Sequence, residues 1–258
     1  MKILLLGSSG FIGSHILTYY SNIHTIVDPK KIDILDFNYI FNLIKACEPD
    51  VVINCISYGG KEKVNNTNMD DLVKNLVLFS NIVKASKYYK KYINIGSGIE
   101  LGKNMSVWDN CPVVSSYAIS KNIISRFCDN LDKFYTLRLY GCFGPGEPSF
   151  RLFSKYKKSI GNIPIEITDK YYDTLFIKDF LKVLDYYLLN NNLIKDIDCV
   201  YKNKLKISTQ LSILSSILNT KDNFIIKKID EDYIGNSFEL EQLNLNLIGL
   251  DDGLRYYK

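Results

Sequence analysis

Histidine is almost absent from this chain of 258 residues; His15 and His24 are the only two, and both lie near the start. A histidine-based triad or imidazole metal cluster is therefore excluded, and no metal is expected. The six cysteines, Cys47, Cys55, Cys111, Cys128, Cys142 and Cys199, include no close pair. That spacing suggests neither a zinc site nor a redox dithiol, and they read as small buried hydrophobes. No apolar run approaches the ~20 residues that cross a bilayer, so no membrane association is expected. The opening Met1–Gly7 is too short for a secretory signal and lacks a cleavage site, which places the expected protein in the cytoplasm. A net charge of +4, on lysines scattered among acids, is too weak to imply a nucleic-acid partner. No repeat or low-complexity segment is visible. What remains is a globule, 47% hydrophobic and 23% charged, sized for one large domain or a large one with a small appendage.

The chain then alternates in a readable way. Lys2–Leu6 is an aliphatic run suited to a strand buried on both faces. It breaks at Gly7-Ser-Ser-Gly10-Phe-Ile-Gly13, after which Phe11, Ile12, Ile16 and Leu17 repeat at helical spacing. A glycine-rich turn between strand and helix brings backbone amides close to a pyrophosphate, at the positive end of the helix dipole. His24–Val27 reads as a second strand ending in Asp28, where an acid would bond adenosine ribose hydroxyls. The alternative is a plain turn residue before Pro29. Lys30 and Lys31 follow at once and suit a 2′-phosphate instead, so NADH and NADPH both stay open. A helix through Ile40, Phe41 and Ile44 leads to a strand at Val51–Asn54. A long helix from about Met69 to Ser86 leads to another at Tyr92–Ile95. This alternation predicts a parallel α/β sheet.

Ser97 then falls at a strand's carboxyl end, the edge that also carries the Gly7–Gly13 turn. If Tyr117 opens a helix, Lys121 lies one turn away on the same face. An ammonium beside a phenol favours phenolate, which suits a proton donor or acceptor near neutral pH. With 19 tyrosines in a lysine-rich chain the spacing alone would arise by chance. Its convergence with a nucleotide turn is what singles it out.

In the order and spacing of its motifs the chain resembles the extended short-chain dehydrogenases/reductases, of the NAD-dependent epimerase/dehydratase group acting on nucleotide sugars. The matching elements are Gly7, Gly10 and Gly13; Ile34-Leu-Asp36; Pro49-Asp-Val-Val-Ile-Asn54; Asn75; Ser97, Tyr117 and Lys121; Leu137-Arg-Leu-Tyr-Gly-Cys-Phe-Gly-Pro-Gly146; and Asp173-Thr-Leu-Phe-Ile-Lys-Asp179. The resemblance implies a Rossmann-type doubly wound parallel sheet over 1–146. It also implies a smaller C-terminal substrate-binding α/β domain over 147–258, with 174–200 packing back on the sheet. By position, Tyr117 resembles the proton donor or acceptor, Lys121 the residue holding the nicotinamide ribose, and Ser97 the hydroxyl on the reacting oxygen. Cofactor contacts are implied for Gly7, Ser9, Gly10, Phe11, Ile12, Gly13, Asp28, Lys30, Asp33, Ile34, Cys55, Ile56, Ser57, Asn75, Tyr140 and Cys142. Substrate contacts are implied for Tyr58, Gly59, Gly98, Arg151 and Tyr172. A homodimer through the helices near 69–86 and 116–131 is expected by the same analogy.

The departures narrow the reaction. Dehydratases of the family carry Asp-Glu directly after the catalytic hydroxyl, where this chain has Gly98 and Ile99. Epimerisation beside a ketone needs a further acid and base, and no histidine follows His24. Gly141 and Tyr172 stand where epimerases often place asparagine and arginine, so the usual diphosphate clamp is missing. Arg151, Lys155 or Lys157 is its candidate substitute; the alternative is that they form a solvated face of a helix. At this length the loops over the sugar are expected to be trimmed. The expected activity is NAD(P)H-dependent reduction of a 4-keto nucleotide sugar for cell-surface polysaccharide. A 4-epimerase retaining NAD and a catalytically silent dinucleotide sensor are the alternatives.

Overall fold

A computed structural model describes residues 1–29, 33, 36–59, 68–101, 115–191 and 193–257. Lys30, Lys31, Ile34, Gly60 and Cys111 lie outside the described residues. In chain order, β1 (Lys2–Leu6), α1 (Phe11–Tyr20), β2 (Thr25–Val27), α2 (Phe37–Cys47), β3 (Val51–Asn54), α3 (Met69–Lys84), β4 (Lys91–Ser97), α4 (Ser116–Asp129) and β5 (Phe134–Leu139) alternate as expected. There follow β6 (Cys142–Phe143), α5 (Leu152–Ser159), β7 (Ile165–Asp169), β8 (Leu175–Phe176), α6 (Ile177–Leu189), β9 (Asp196–Asp198), α7 (Ile207–Ile217) and β10 (Phe224–Ile229). Two short helices close the chain, α8 (Phe238–Gln242) and α9 (Leu250–Leu254). Two compact units result. One comprises Met1–Arg138 with Asn190–Ile197; the other comprises Leu139–Leu189 with Asp198–Lys258.

The main sheet runs β2-β1-β3-β4-β5-β9, and the described pairs β1–β2, β1–β3 and β3–β4 are parallel. Its order reverses at β1, so the gap between the ends of β1 and β3 is the topological switch point. The register sets Leu6 opposite Asn54 and Asn54 opposite Asn94. The residues that follow, Gly7, Cys55 and Ile95, therefore emerge along one edge. Residues 3–6 and 51–54 are buried, as strands covered on both faces must be.

Local chemistry sets the helix ends. Asp36, Asn68 and Ser115 accept the amides of Asn38, Asp70 and Ala118 at 2.8, 3.0 and 3.2 Å, capping α2, α3 and α4. Glu48 takes a left-handed turn at φ 38° and Pro49 follows, stopping α2. One face of the sheet packs Leu4, Val52 and Tyr92 against Ile40, Ile44, Leu78, Phe79, Ile82 and Ile124. Each such side chain contributes roughly 1.5–3 kcal/mol on burial.

In the second unit, β7 pairs in parallel with β10, and β6 with β8. Two expectations need correction. Asp198–Tyr201 reads in the sequence as a further sheet strand, but the strand lies earlier, at Asp196–Asp198. Strand β10 was not anticipated, because only the first of its residues is even half-buried and so it lacks an alternating pattern. Among the described residues no helix is long and apolar enough to cross a membrane, and no cluster of metal-ligating side chains occurs.

Candidate active site

The glycine turn is held by geometry that only glycine permits at two of its three positions. Gly7 has φ +90°, and a Cβ there would lie 2.8 Å from the Ile56 nitrogen. A Cβ on Gly13 would run into the Gly7 carbonyl, whereas one on Gly10 would meet nothing closer than 3.6 Å. No side chain caps the start of α1, and its first turn carries no acid. The positive end of its dipole thus meets no competing side-chain cap or acid, which fits a dinucleotide's phosphates. Ser9 is exposed and Phe11 and Ile12 are half-buried on this turn. Asp28 follows β2 directly, and Asp33 accepts the Asp36 amide at 3.3 Å.

Across the switch point, the Cys55 amide donates to the Leu6 carbonyl at 2.8 Å and the Ile56 amide to Asn54 Oδ1 at 3.1 Å. Burial pushes the Cys55 thiol up to about 12, against the opposing pull of the Lys121 ammonium, so it stays protonated. Ser57 is exposed. Asn75, on α3, clasps the next residue: its Oδ1 accepts the Tyr58 amide at 2.9 Å and its Nδ2 donates to the Tyr58 carbonyl at 3.1 Å. The same Nδ2 reaches Ser120 Oγ at 3.0 Å. Asn75 thus braces the loop after β3 against α4. Burial and the nearby Asp71 carboxylate both raise the Tyr58 phenol. Gly59, at φ +83°, lies against α4; a Cβ there would sit 3.4 Å from Tyr117 Cβ.

Tyr117 occupies the first turn of α4 and is half-buried. Lys121 is 5% exposed; its Nζ lies 5.8 Å from the Tyr117 ring centroid and donates to the Ile95 carbonyl at 2.6 Å. Ile95 is two residues before Ser97, the last residue of β4. The pair is therefore anchored to the strand that carries the serine. Gly98 begins a single 3-10 turn, Gly98–Leu101.

That turn contains a group the sequence reading overlooked. Glu100 is fully buried; its Oε2 accepts the Ser97 amide at 3.1 Å, and its Oε1 accepts Ser125 Oγ at 2.9 Å and Arg138 Nε at 2.6 Å. Arg138 also pairs with Asp196, and Asn122 Nδ2 holds the Glu100 carbonyl at 2.8 Å. Burial raises the Glu100 carboxyl, while the guanidinium and these donors oppose that rise. A signal was present: Arg138 sits between two leucines of a buried strand, and a charge in that place demands a partner.

The remaining expected residues belong to the second unit. The Tyr140 hydroxyl donates to Asp198 Oδ2 at 3.0 Å. Arg151 stands at the N-cap of α5 with Nη1 donating to the Cys142 carbonyl at 3.2 Å, and burial pushes the Cys142 thiol up to about 12. Lys157 bonds the Tyr257 carbonyl. Tyr172 stacks on Tyr233 at 5.5 Å, which meets Tyr140 edge-on at 5.0 Å. Burial raises the Tyr172 phenol, Arg151 opposes this and Glu147 adds to it. The two departures from the family pattern interlock, because a Cβ on Gly141 would lie 3.2 Å from the Tyr172 ring and 2.8 Å from Thr174 Cγ2. An open groove of about 940 Å³ in this unit, bordered by Tyr201, Lys202, Leu240 and Asn246, includes none of the expected site residues. Concavity alone does not locate this chemistry.

Known proteins place the arrangement in context. GDP-L-colitose synthase of Yersinia pseudotuberculosis is 31% identical over 148 residues, covering 52% of this chain and 48% of that protein. The chain spans 66% and 48% of the lengths of the curated relatives it matches. UDP-glucose 4-epimerase of Thermotoga maritima has the same fold, with a TM-score of 0.81, 16% identity and coverage of 99% of this chain and 97% of that one. GDP-mannoheptose C4 reductase of Campylobacter jejuni, solved with NADP bound, aligns with a TM-score of 0.78 at 16% identity, over 99% of this chain and 96% of that one. The NAD dependent epimerase/dehydratase family matches residues 3–197, three quarters of the sequence. With that match over a nucleotide turn at the switch point, the chain belongs to the NAD-dependent epimerase/dehydratase family, whose enzymes work with a nicotinamide dinucleotide.

Proposed function

We propose that the protein reduces a 4-keto group on a nucleotide-linked deoxysugar, using NADH or NADPH, in the making of a cell-surface polysaccharide. The observation that carries this reading is the Tyr117–Lys121 pair tied to the end of β4, with no carboxylate at Gly98 or Ile99 beside Ser97. The dinucleotide supplies the hydride when bound. Tyr117 gives the proton to the oxygen that becomes a hydroxyl, and Ser97 hydrogen-bonds that same oxygen. Lys121 contributes positive charge beside the phenol and holds the cofactor ribose. Asn75 keeps the loop of Tyr58 and Gly59 against α4.

Two similar proteins support the substrate class: a GDP-L-colitose synthase by sequence and a GDP-mannoheptose C4 reductase by fold. Both favour a guanosine-linked sugar. A protonated Cys55 and the lack of any histidine after His24 weigh against added acid–base steps near neutral pH. We also propose a homodimer through α3 and α4, which pack on each other and leave Met69, Val73 and Phe127 exposed.

The test is direct. Purified chain is given a GDP-linked 4-keto-6-deoxy sugar with NADH or NADPH, and loss of reduced dinucleotide is followed against product. One dinucleotide consumed per sugar reduced supports the reductase. Interconversion of two 4-epimers without net consumption makes the protein an epimerase, and no turnover of either kind removes both activities.

A further inference from the structure

We propose that Glu100 is a positioning residue for the Ser97 hydroxyl, setting it against the helix that bears Tyr117 and Lys121. The proposal rests on the reductase reading for what Ser97 does, but its geometry is independent of that reading. At the end of β4 the chain turns away from the sheet, and the Ser97 amide donates to Glu100 Oε2 at 3.1 Å. With that amide held, the serine oxygen hangs from the backbone by one rotatable bond, Cα–Cβ, and is confined to a few staggered positions. The carboxylate cannot drift, because its second oxygen is held by Arg138 and Ser125, and Arg138 is itself held on its far side by Asp196. The Glu100 carbonyl is bonded by Asn122, the residue next to Lys121 on α4. One residue therefore touches the serine's strand, the catalytic helix and β5.

The surroundings are cut to admit it. A Cβ on Gly96 would lie 3.3 Å from Glu100 Oε1 and 2.7 Å from Thr136 Cγ2, so the carboxylate lies along a strand cleared by a missing side chain. Burying a carboxylate completely is costly unless hydrogen bonds and an opposite charge are provided, and here three donors, one of them a guanidinium, supply both. An apolar residue here would leave the buried Arg138 guanidinium short of a partner and the Ser97 amide without its acceptor. The carboxylate's Oε2, aimed at the serine amide, does something an apolar residue cannot.

The experiment compares Glu100→Asp, which keeps the charge but shortens the reach, and Glu100→Gln, which has one acceptor oxygen for two sets of donors. Tyr89→Phe is the control; it deletes a buried hydrogen bond to the Ile82 carbonyl away from the site. Readouts are kcat and KM for the 4-keto sugar, dinucleotide Kd, Tm, and exchange of the Ser97 amide by NMR. Expected are a roughly tenfold to hundredfold fall in kcat for both Glu100 variants with KM and Kd within about threefold, and amide exchange about tenfold faster or more. Tyr89→Phe should lower Tm with kcat unchanged. If the Glu100 variants lose kcat only in proportion to their loss of Tm, on the same line as Tyr89→Phe, the role is structural and the proposal fails. It fails equally if the wild-type Ser97 amide exchanges freely. A wild-type chain that turns over no sugar while its Ser97 amide is protected, and loses protection in Glu100→Asp, overturns the reductase reading and leaves the positioning intact.

Discussion

The unit built on 1–138 settles its backbone by strand register, whereas the unit built on 139–189 and 198–258 relies on single aspartates to pin irregular chain. In the first, β1, β3 and β4 run side by side and their ladder satisfies donors and acceptors in bulk. In the second, Asp179 is fully buried and accepts the amides of Ile248 and Gly249 at 2.7 and 2.9 Å and the Tyr201 hydroxyl at 2.6 Å. Asp173 accepts the Gly235 amide at 2.7 Å and Lys204 Nζ at 2.7 Å; Asp198 accepts the Asn236 amide at 2.8 Å. A ladder shares the load over many bonds, while a pin concentrates it on one side chain. The first unit should therefore tolerate the loss of a reacting group without structural damage. The second should fail at single residues remote from any chemistry.

Four substitutions test that contrast. The largest effect is expected from Tyr117→Phe, which removes the proton donor from a helix held by other groups. Its kcat for sugar reduction should drop on the order of 10²–10⁴-fold with Tm within a degree or so, read by steady-state kinetics and calorimetry. Next is Asp179→Ala, which strands three donors in the interior. It should cost on the order of 3 kcal/mol in denaturant unfolding, with dinucleotide binding kept, since no residue of the glycine turn is touched.

Gly13→Ala follows. Its Cβ would force the turn away from the Gly7 carbonyl, so dinucleotide affinity by fluorescence titration should weaken at least about tenfold, with a stability loss of about 1–3 kcal/mol. The smallest effect concerns pH. Burial raises the Glu147 carboxyl, partly offset by the Ser154 amide. A raised acid contributes stability that is complete below its unfolded value of 4.5 and is lost as pH rises through the folded value. Wild-type Tm should therefore decline slightly as pH rises above 4.5, and Glu147→Gln should reduce that decline. A steeper decline in the variant would reverse the assignment.

The contrast also explains what could be read in advance. Strands buried on both faces announce themselves as aliphatic runs, so Lys2–Leu6 and Val51–Asn54 were legible to the residue, and the edge carrying Gly7 and Ser97 followed. Asn75 was recognised by resemblance alone; its work as a clasp on Tyr58 depends on a fold-created neighbour 17 residues away. Glu100 was missed because its partners Ser125 and Arg138, and the Asp196 that holds Arg138, converge only in three dimensions. In the second unit an aspartate that pins two amides looks in sequence like any surface acid. The position of β9 and the existence of β10 were misjudged for the same reason, since neither has a hydrophobic rhythm of its own.

Strand β10 also bears on how the protein must be kept in a tube. Ile225, Ile226 and Ile229 stand about half or more open to water, with Lys227 and Lys228 between them. Bare isoleucine on a two-stranded ribbon invites a second ribbon to add on, and paired lysines are a known guard against that approach. Lys227 pairs with Glu166 and Lys228 with Asp230, so the guard is a hydrated charged surface that dissolved salt screens. Concentrated stocks should therefore stay clear longest in dilute buffer and cloud first in brine.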